Sequence, residues 1–367
     1  MLLTRLTLAD VRNYASLEFA PAPGLNVLAG ANAQGKSNLL EAIALLGIGK
    51  SFRTAREGEI VRDGTSAASL SGEARLAAGE VRLSCSLTRS PSGLRKSYAV
   101  NGRAVRYAAY LGTMRVVTFV PAHLQLVSGP PGLRRALVNA ALSQEDRGYY
   151  AALAAYTTHL TQKNALLRGT VAFDEALLAT YNERLIEHGT SVMLARRTFV
   201  AALERRAAAI HRAWLGEAEG RLELAYVSNV ETEDRTREGV AAAFAERLQR
   251  SQAAEFARRV SLVGPHRDDV VFRLDGRPLA TYGSQGQQRT AVLALKVAEY
   301  GELSERGGEA PILLLDDVLS ELDAARRHAF LHEVASFEQA FLTTAGEVDV
   351  PVAATYRVRA ATLERVA

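Results

Sequence analysis

Leu25-Asn26-Val27-Leu28-Ala29 runs directly into Gly30-Ala31-Asn32-Ala33-Gln34-Gly35-Lys36-Ser37, and the reading of this junction decides the fold. The first stretch has the apolar character of a strand. The next eight residues match G-x-x-x-x-G-K-[ST], and Asn38–Gly47 continues as a helix, the context this phosphate-binding motif requires. Gly30 and Gly35 permit backbone conformations that turn successive N–H groups toward phosphate oxygens. The helix N-terminus adds positive partial charge at the same place. In this reading Gly30, Ala31, Asn32, Ala33, Gln34, Gly35, Lys36, Ser37 and Asn38 cradle a nucleoside triphosphate. Lys36 reaches its β- and γ-phosphates, and the Ser37 hydroxyl ligates Mg²⁺. The competing reading is a glycine-rich turn with no ligand. The loop by itself says nucleotide and leaves the reaction open.

Farther along, the apolar run Ile312-Leu313-Leu314-Leu315 reads as a central parallel strand and ends in Asp316-Asp317. A carboxylate at that end can share the metal with Ser37, which assigns Asp316 to Mg²⁺. Asp317 is then the expected general base for the attacking water. Upstream, Tyr282-Gly283-Ser284-Gln285-Gly286-Gln287-Gln288-Arg289 opens a helix that carries Val292, Leu295 and Ala298 at three-residue spacing. Ser284 either caps that helix or, with Gln285, Gly286 and Gln287, makes a second anion site at its N-terminus.

Around these motifs the chain changes character twice. Residues 1–120 carry strand signals: Leu2, Leu6 and Leu8 on one face, Leu17 with Phe19, and Val81, Leu83, Cys85 and Leu87 in alternation. Asn101-Gly102 after Tyr98-Ala99-Val100 is a type I′ hairpin signal. These features predict an antiparallel sheet with the glycine loop and its helix set inside it. Residues 134–220 lack Pro and are rich in Ala, Leu, Glu and Arg, which predicts long helices without sustained heptads. A strand at Leu222–Val227, a helix at Val240–Arg259, a hairpin at 270–280, a helix from Gln287 to about Leu303 and strands at Ile312–Leu315 and Ala340–Thr344 follow. The expected architecture is α/β: one domain of 1–130 with 261–367, and an inserted helical domain of 131–260 with which 282–290 packs.

The chain has 367 residues, 48% hydrophobic and 23% charged, with a net charge of +4, which excludes wholesale disorder. Five residues are lysine and 39 arginine. Residues 1–135 hold 17 Lys and Arg against 8 Asp and Glu, a balance of +9, whereas the remainder balances at −5. A basic half raises the expectation of a polyanionic partner. Arg95, Lys96, Arg103 and Arg106 around the Asn101-Gly102 hairpin are candidates for DNA phosphates or simply a solvated strand face; Arg53, Arg56, Arg134 and Arg135 are weaker ones. No recognition-helix or zinc motif predicts base-specific readout. His266 beside Asp268 and Asp269 reads as a loop hydrogen-bonding cluster rather than a metal site. A single Cys85 fits a reducing cytosol, and no apolar run approaches a membrane span, so a cytoplasmic location is expected.

With the glycine loop first, Ser284–Arg289 next and Asp316-Asp317 last, the sequence resembles the ABC-type ATPases, and Ser320-Glu321-Leu322-Asp323 looks like their D-loop. Asp10-Val11-Arg12-Asn13-Tyr14, Gly49-Lys50-Ser51-Phe52-Arg53-Thr54 and Leu314–Asp323 narrow the resemblance to the RecF family of bacterial recombinational-repair ATPases. Ala33 and Ser37 stand where Gly and Thr are usual, and Val120-Pro121-Ala122-His123-Leu124 lacks the usual acidic pair after the proline. Asp317 replaces the Glu of many ABC ATPases, a trait shared with RecF-like proteins. The resemblance implies an ABC-type P-loop ATPase head with mixed and antiparallel sheets plus an inserted helical domain and no long coiled coil. It further implies slow, DNA-stimulated ATP hydrolysis and an ATP-induced homodimer in which Lys36 of one copy faces Ser284 of the other. The implied ligand is DNA at single-strand/duplex gaps, and the implied partners are RecR, RecO and RecA. A nucleotide-binding subunit of a membrane transporter is the alternative, but Phe341-Leu342-Thr343-Thr344-Ala345 lacks that class's switch histidine. A full SMC protein needs a far longer insert, and a small-molecule kinase leaves Ser284–Arg289 unused.

Overall fold

The computed structural model describes residues 1–366 except 55, 92, 170–173, 217–219, 320, 321, 323 and 347, and all side chains there but that of 325. In chain order the elements begin with β1 (Leu2–Val11), β2 (Tyr14–Phe19), β3 (Gly24–Ala29), α1 (Lys36–Ile48), β4 (Ala67–Leu76), β5 (Gly79–Ser90), β6 (Gly93–Val100), β7 (Arg103–Val105), α2 (Tyr107–Tyr110) and β8 (Val116–Phe119). There follow α3 (Pro131–Glu145), α4 (Arg147–Leu167), α5 (Glu175–Leu215), β9 (Leu222–Val227), α6 (Arg237–Arg258), β10 (Asp269–Leu274), β11 (Arg277–Pro278) and α7 (Leu279–Tyr282). The chain closes with α8 (Gln285–Gly307), β12 (Ile312–Asp316), α9 (Ala324–Ala335), β13 (Gln339–Thr344), β14 (Ala354–Arg359) and β15 (Thr362–Arg365). They form two compact units: Met1–Gln125 with Ala213–Gly216 and Gln285–Ala367, and Leu126–Arg212 with Glu217–Ser284.

The first unit holds two six-stranded sheets. One is antiparallel, in the order β2-β1-β4-β5-β6-β7. The other has the order β15-β14-β3-β13-β12-β8, with its strands parallel except for the antiparallel β14–β15 edge. Helix α1 touches β1, β4 and β5 of the first sheet and β8, β12 and β13 of the second. That position explains its sequence. Leu39, Leu40 and Ala42–Leu46 are buried on every side, as a helix packed between two sheets demands. The glycine loop and α1 are therefore not set inside the antiparallel sheet as its strand signals implied. β3 pairs with β13 and β14 in the parallel sheet, whose fully buried strands show no alternation to reveal their partners.

In the antiparallel sheet Val81, Leu83, Cys85 and Leu87 all point into the core, as their alternation predicts. Burial pushes the Cys85 thiol up to about 11, so it is an unreactive core residue. On β1 a register shift between Leu3 and Arg5 changes the parity, so Leu3 joins Leu6 and Leu8 in the core in place of the expected Leu2. The Asn101-Gly102 turn has φ of 51° and 76°, the left-handed pair of a type I′ hairpin.

In the second unit α3, α4, α5 and α6 confirm the helical insert, and Asp146 caps α4 by accepting from the N–H groups of Gly148 (2.7 Å) and Tyr149 (3.1 Å). α5 runs 41 residues, and its Leu185 and Met193 are core residues of this unit. A three-stranded antiparallel sheet, β11-β10-β9, belongs to the same unit. β10 pairs with β9 along its whole length, from Asp269↔Val227 to Leu274↔Leu222. Those ladder hydrogen bonds keep 261–284 with the insert, so the return to the first unit falls at Gln285 and not at 261. The hairpin at 270–280 is also shorter than expected, because Pro278 ends β11 and α7 begins at once. Among the described residues, no helix is long and apolar enough to cross a membrane.

Candidate nucleotide-binding site

The loop after β3 adopts the geometry its glycines permit. Gly35 precedes α1 with φ of 116°, and a Cβ on it would lie 2.9 Å from the Tyr14 hydroxyl. A Cβ on Gly30 would lie 2.4 Å from the Val358 carbonyl oxygen, too close for any side chain. Ala33 is left-handed as well, with φ of 63°. This is where the sequence departs from Gly, at a local cost of about 1–2 kcal/mol that is partly offset by alanine's lower chain entropy. Ala33→Gly is accordingly expected to leave the thermal midpoint unchanged or raise it; a fall of several degrees would contradict the left-handed loop.

Lys36 Nζ donates to the carbonyls of Gly30 (2.6 Å) and Ala31 (2.9 Å), so the ammonium sits across the mouth of the loop. Burial pulls its pKa below the ordinary lysine range, and the carboxylates of Asp317 and Asp316 act in the opposite direction. Ser37 Oγ donates to Asp316 Oδ1 at 2.7 Å, and Thr343 Oγ1 donates to the same oxygen at 2.9 Å. The backbone N–H of Asp317 donates to Thr343 Oγ1 at 2.9 Å, and the left-handed Asp317 (φ 49°) turns away from the buried Asp316 and is itself exposed. The paired acids therefore differ in environment: one is fixed in the site, the other meets solvent. Ser37 and Asp316 thus lie side by side as two oxygen donors that would hold a Mg²⁺. Among the described residues no group of three or more His, Cys, Asp or Glu could hold a metal. The donor set thus suits an ion that takes its remaining ligands from phosphate and water.

Motifs far apart in sequence brace this loop. Tyr14 Oη donates to Gly35 O at 3.1 Å, and Asn13 Nδ2 to Gln34 O at 3.4 Å. Asn38 Nδ2 donates to Asn13 Oδ1 at 2.7 Å, and Arg53 donates to Asn38 Oδ1. Arg12 grips the buried Glu41 of α1 with two bonds of 2.8 Å, and Ser51 donates to the same carboxylate. Arg12 and Arg53 are thus tied to α1, which gives the Asp10–Tyr14 and Gly49–Thr54 stretches a shared structural purpose. From the other side, the N–H groups of Ala360 and Ala361 in the β14–β15 turn donate to Gln34 Oε1 (2.8 Å) and Gln34 O (3.0 Å). Neither this C-terminal hairpin nor Thr343 is expected from the sequence motifs. The alternation of Ala354, Tyr356 and Val358, all buried, is a signal for β14; nothing local points to Thr343.

The remaining candidates divide. Ser284 is the residue before α8, and Gln285, Gly286 and Gln287 form its first turn, with Arg326 of α9 beside Gly286. The D-loop positions 320, 321 and 323 lie outside the described residues, and Leu322 is buried. Lys96 is not part of an open basic patch: it points to the inner face of β6, donating to Gly49 O at 2.7 Å and pairing with Glu57. The reason is strand parity, since Arg95 and Lys96 must face opposite sides. Arg95, Arg103 and Arg106 are exposed. Arg134 is buried, bonded bidentately to Asp269 (2.7 and 2.9 Å) and to the carbonyls of Leu126 and Gly129, while Arg135 donates to Asp268 O. Both are structural rather than available to DNA. In the Val120–Leu124 segment His123 stacks on Phe119, and burial pushes its pKa down to about 3.

A glycine loop at the end of a central parallel strand, a carboxylate at the end of the strand two places away, and a Ser-Gln-Gly helix start define an ABC-type P-loop ATPase head. Residues 2–360 match the family model described as "RecF/RecN/SMC N terminal domain". The chain belongs to the RecF family. It is 44% identical to the "DNA replication and repair protein RecF" of Symbiobacterium thermophilum, covering 99% of this chain and 98% of that one. It is 40% identical to the protein of the same name from Thermosynechococcus vestitus, covering 99% and 95%. The solved structure "Structure of the recombination mediator protein RecF-ATP in RecFOR pathway" superposes with a TM-score of 0.91 at 30% identity over 100% of this chain and 98% of that one. A Pyrococcus furiosus Smc head superposes at 0.55 and 17% identity, a likeness of fold alone.

Proposed function

We propose that this chain is a DNA-repair ATPase whose ATP-bound homodimer clamps DNA at single-strand/duplex gaps and whose slow hydrolysis opens the dimer. The observation that carries the reading is the Ser37–Asp316 pair at the mouth of the glycine loop, two oxygen donors that would hold a Mg²⁺. In this reading residues 30–38 bind the triphosphate, Lys36 swings from its loop carbonyls to the phosphates, and Ser37 and Asp316 would hold a Mg²⁺ that would neutralise phosphate charge. Asp317 orients the attacking water, and Ser284, with Gln285, Gly286 and Gln287, caps the γ-phosphate held by the other copy. Arg95, Arg103 and Arg106 supply backbone phosphate contacts without base readout. The relative solved as "RecF-ATP in RecFOR pathway" supports ATP as the nucleotide and RecR and RecO as partners; RecA downstream follows from the family resemblance alone.

The test is ATP turnover and sedimentation with and without gapped DNA, for the native chain, Lys36→Met and Ser284→Arg. DNA should stimulate the native ATPase, and both variants should stay monomeric in ATP and hold DNA at least about tenfold more weakly. Hydrolysis indifferent to DNA, with no nucleotide-dependent dimer, refutes the clamp.

A further inference from the structure

The segment Gly264-Pro265-His266-Arg267-Asp268-Asp269 belongs to the second unit, where many of its polar atoms are engaged. Gly264 N–H donates to Asn229 Oδ1 at 2.9 Å, and Arg196 Nη1 of α5 donates to Pro265 O at 2.6 Å. His266 Nε2 lies 3.1 Å from Ser261 O, a group that only accepts, so the proton is on Nε2. His266 Nδ1 must then accept, and the Tyr156 hydroxyl of α4 donates to it at 2.6 Å. Burial favours the neutral imidazole, and in that form the two contacts select a single tautomer. Asp268, fully buried, accepts from Asn229 N–H at 2.6 Å and from the Tyr226 hydroxyl of β9. Arg135 and Arg134 of α3 hold Asp268 O and the Asp269 carboxylate. Four elements, α3, α4, α5 and β9, thus converge on six residues.

The chain from this segment to Ser284 is short. β10 starts at Asp269, turns at Asp275-Gly276 into the two-residue β11, and passes into the four-residue α7, which packs against β10. Gly283 N–H closes α7 on Leu279 O at 3.0 Å, and Ser284 comes next. Within the unit, Ser284 therefore lies at the end of a short run that starts where β10 begins. A buried polar cluster stabilises no better than an apolar one would, but it admits only one arrangement.

We infer that the 264–269 segment, through the Tyr156–His266–Ser261 and Arg134–Asp269 bonds, is a positioning device for Ser284. The inference rests on the proposed role of Ser284 at the nucleotide of the other copy. His266 and Arg134 are positioning residues and touch no substrate. Displacing Ser284 by a fraction of a bond length costs turnover and dimerisation but leaves nucleotide capture by residues 30–38 intact.

The experiment uses the full chain with ATP, Mg²⁺ and gapped DNA, and reads ATP affinity, turnover at saturating ATP and ATP-dependent dimerisation. His266→Phe removes both imidazole bonds; His266→Gln retains a donor toward Ser261. Arg134→Lys keeps the charge and loses the two-pronged grip on Asp269, a milder change should His266→Phe fail to fold. His266→Phe and Arg134→Lys should lower turnover about tenfold and weaken the dimer with ATP affinity within about twofold of native, while His266→Gln recovers at least about half of native turnover. Native turnover in folded His266→Phe or Arg134→Lys, or a loss confined to ATP affinity, overturns the inference while leaving the role of Ser284 standing if Ser284→Arg abolishes the dimer. A Ser284→Arg chain that dimerises and turns over normally overturns both.

Discussion

Asp316→Asn is expected to cut ATP turnover by at least about 100-fold, which corresponds to roughly 3 kcal/mol of lost transition-state stabilisation. The substitution is nearly isosteric, and the amide oxygen can still accept from Ser37 Oγ and Thr343 Oγ1, which lie at 2.7 and 2.9 Å. The fold should therefore survive. What disappears is the negative charge that, in the proposed reading, would hold a divalent ion. The measurement is phosphate release against Mg²⁺ concentration: the variant should require far more Mg²⁺ and remain slow at saturation. Turnover within a few-fold of native at ordinary Mg²⁺ would remove Asp316 from the metal site. Asp317→Asn is the natural comparison: Asp317 is exposed, and its loss should reduce turnover without shifting the Mg²⁺ requirement.

Stability should fall in mild acid, and the two buried histidines, His123 and His266, should both contribute to the fall. Burial, helped by Arg267 and Arg135, pushes the pKa of His266 down to about 4, against the Ser261 carbonyl and Glu255, which favour the cation. Tyr156 of α4 faces its other nitrogen. Well above pH 6.5 the ring is neutral in both the folded and the unfolded chain and contributes nothing pH-dependent. As pH drops from about 6.5 toward 4, the unfolded chain takes up a proton that the folded chain refuses, so stability is lost across that window. The shift amounts to about 3 kcal/mol in full. Asp268, whose pKa burial raises, works in the opposite sense, because its folded form binds a proton more readily than the unfolded one. The difference between native chain and His266→Gln isolates the histidine. Urea unfolding at pH 7 and pH 4.5 should show a steep acid loss for the native chain and a loss smaller by about 2–3 kcal/mol for the variant. Parallel pH dependence in the two chains would mean that His266 is protonated in the folded state.

Part of the fold and site is legible in single stretches of sequence. Residues 30–37 announce their own loop, because a glycine pattern between a strand and a helix has few other uses. Val81–Leu87 and Asn101-Gly102 likewise carry their conformation locally. Other features are not local. Alternation places Leu2 on the core face because it cannot anticipate the register shift at Leu3. The strands β3, β12 and β13 are buried on both faces, so their residues say that they are central but not which sheet holds them. Lys96 reads as a neighbour of Arg95 in a basic cluster, yet strand parity sends it inward to Glu57. Arg134 and Arg135 read as solvent-facing cations, yet the fold sets Asp268 and Asp269 against them.

The sequence alone determined the chemistry of this protein: a phosphate loop at 30–37, an apolar strand ending in two acids, and a Ser-Gln-Gly helix start. These depend on backbone conformation and residue type within a few neighbours, and short-range physics is written in short stretches. Only the tertiary structure decided that Thr343 joins the Ser37–Asp316 pair, that Asn13, Tyr14 and the 360–361 turn hold the loop, and that 261–284 stays with the helical insert. Each of these rests on contacts across tens to hundreds of residues, set by sheet order and by burial of polar groups that must find a partner wherever the fold brings one.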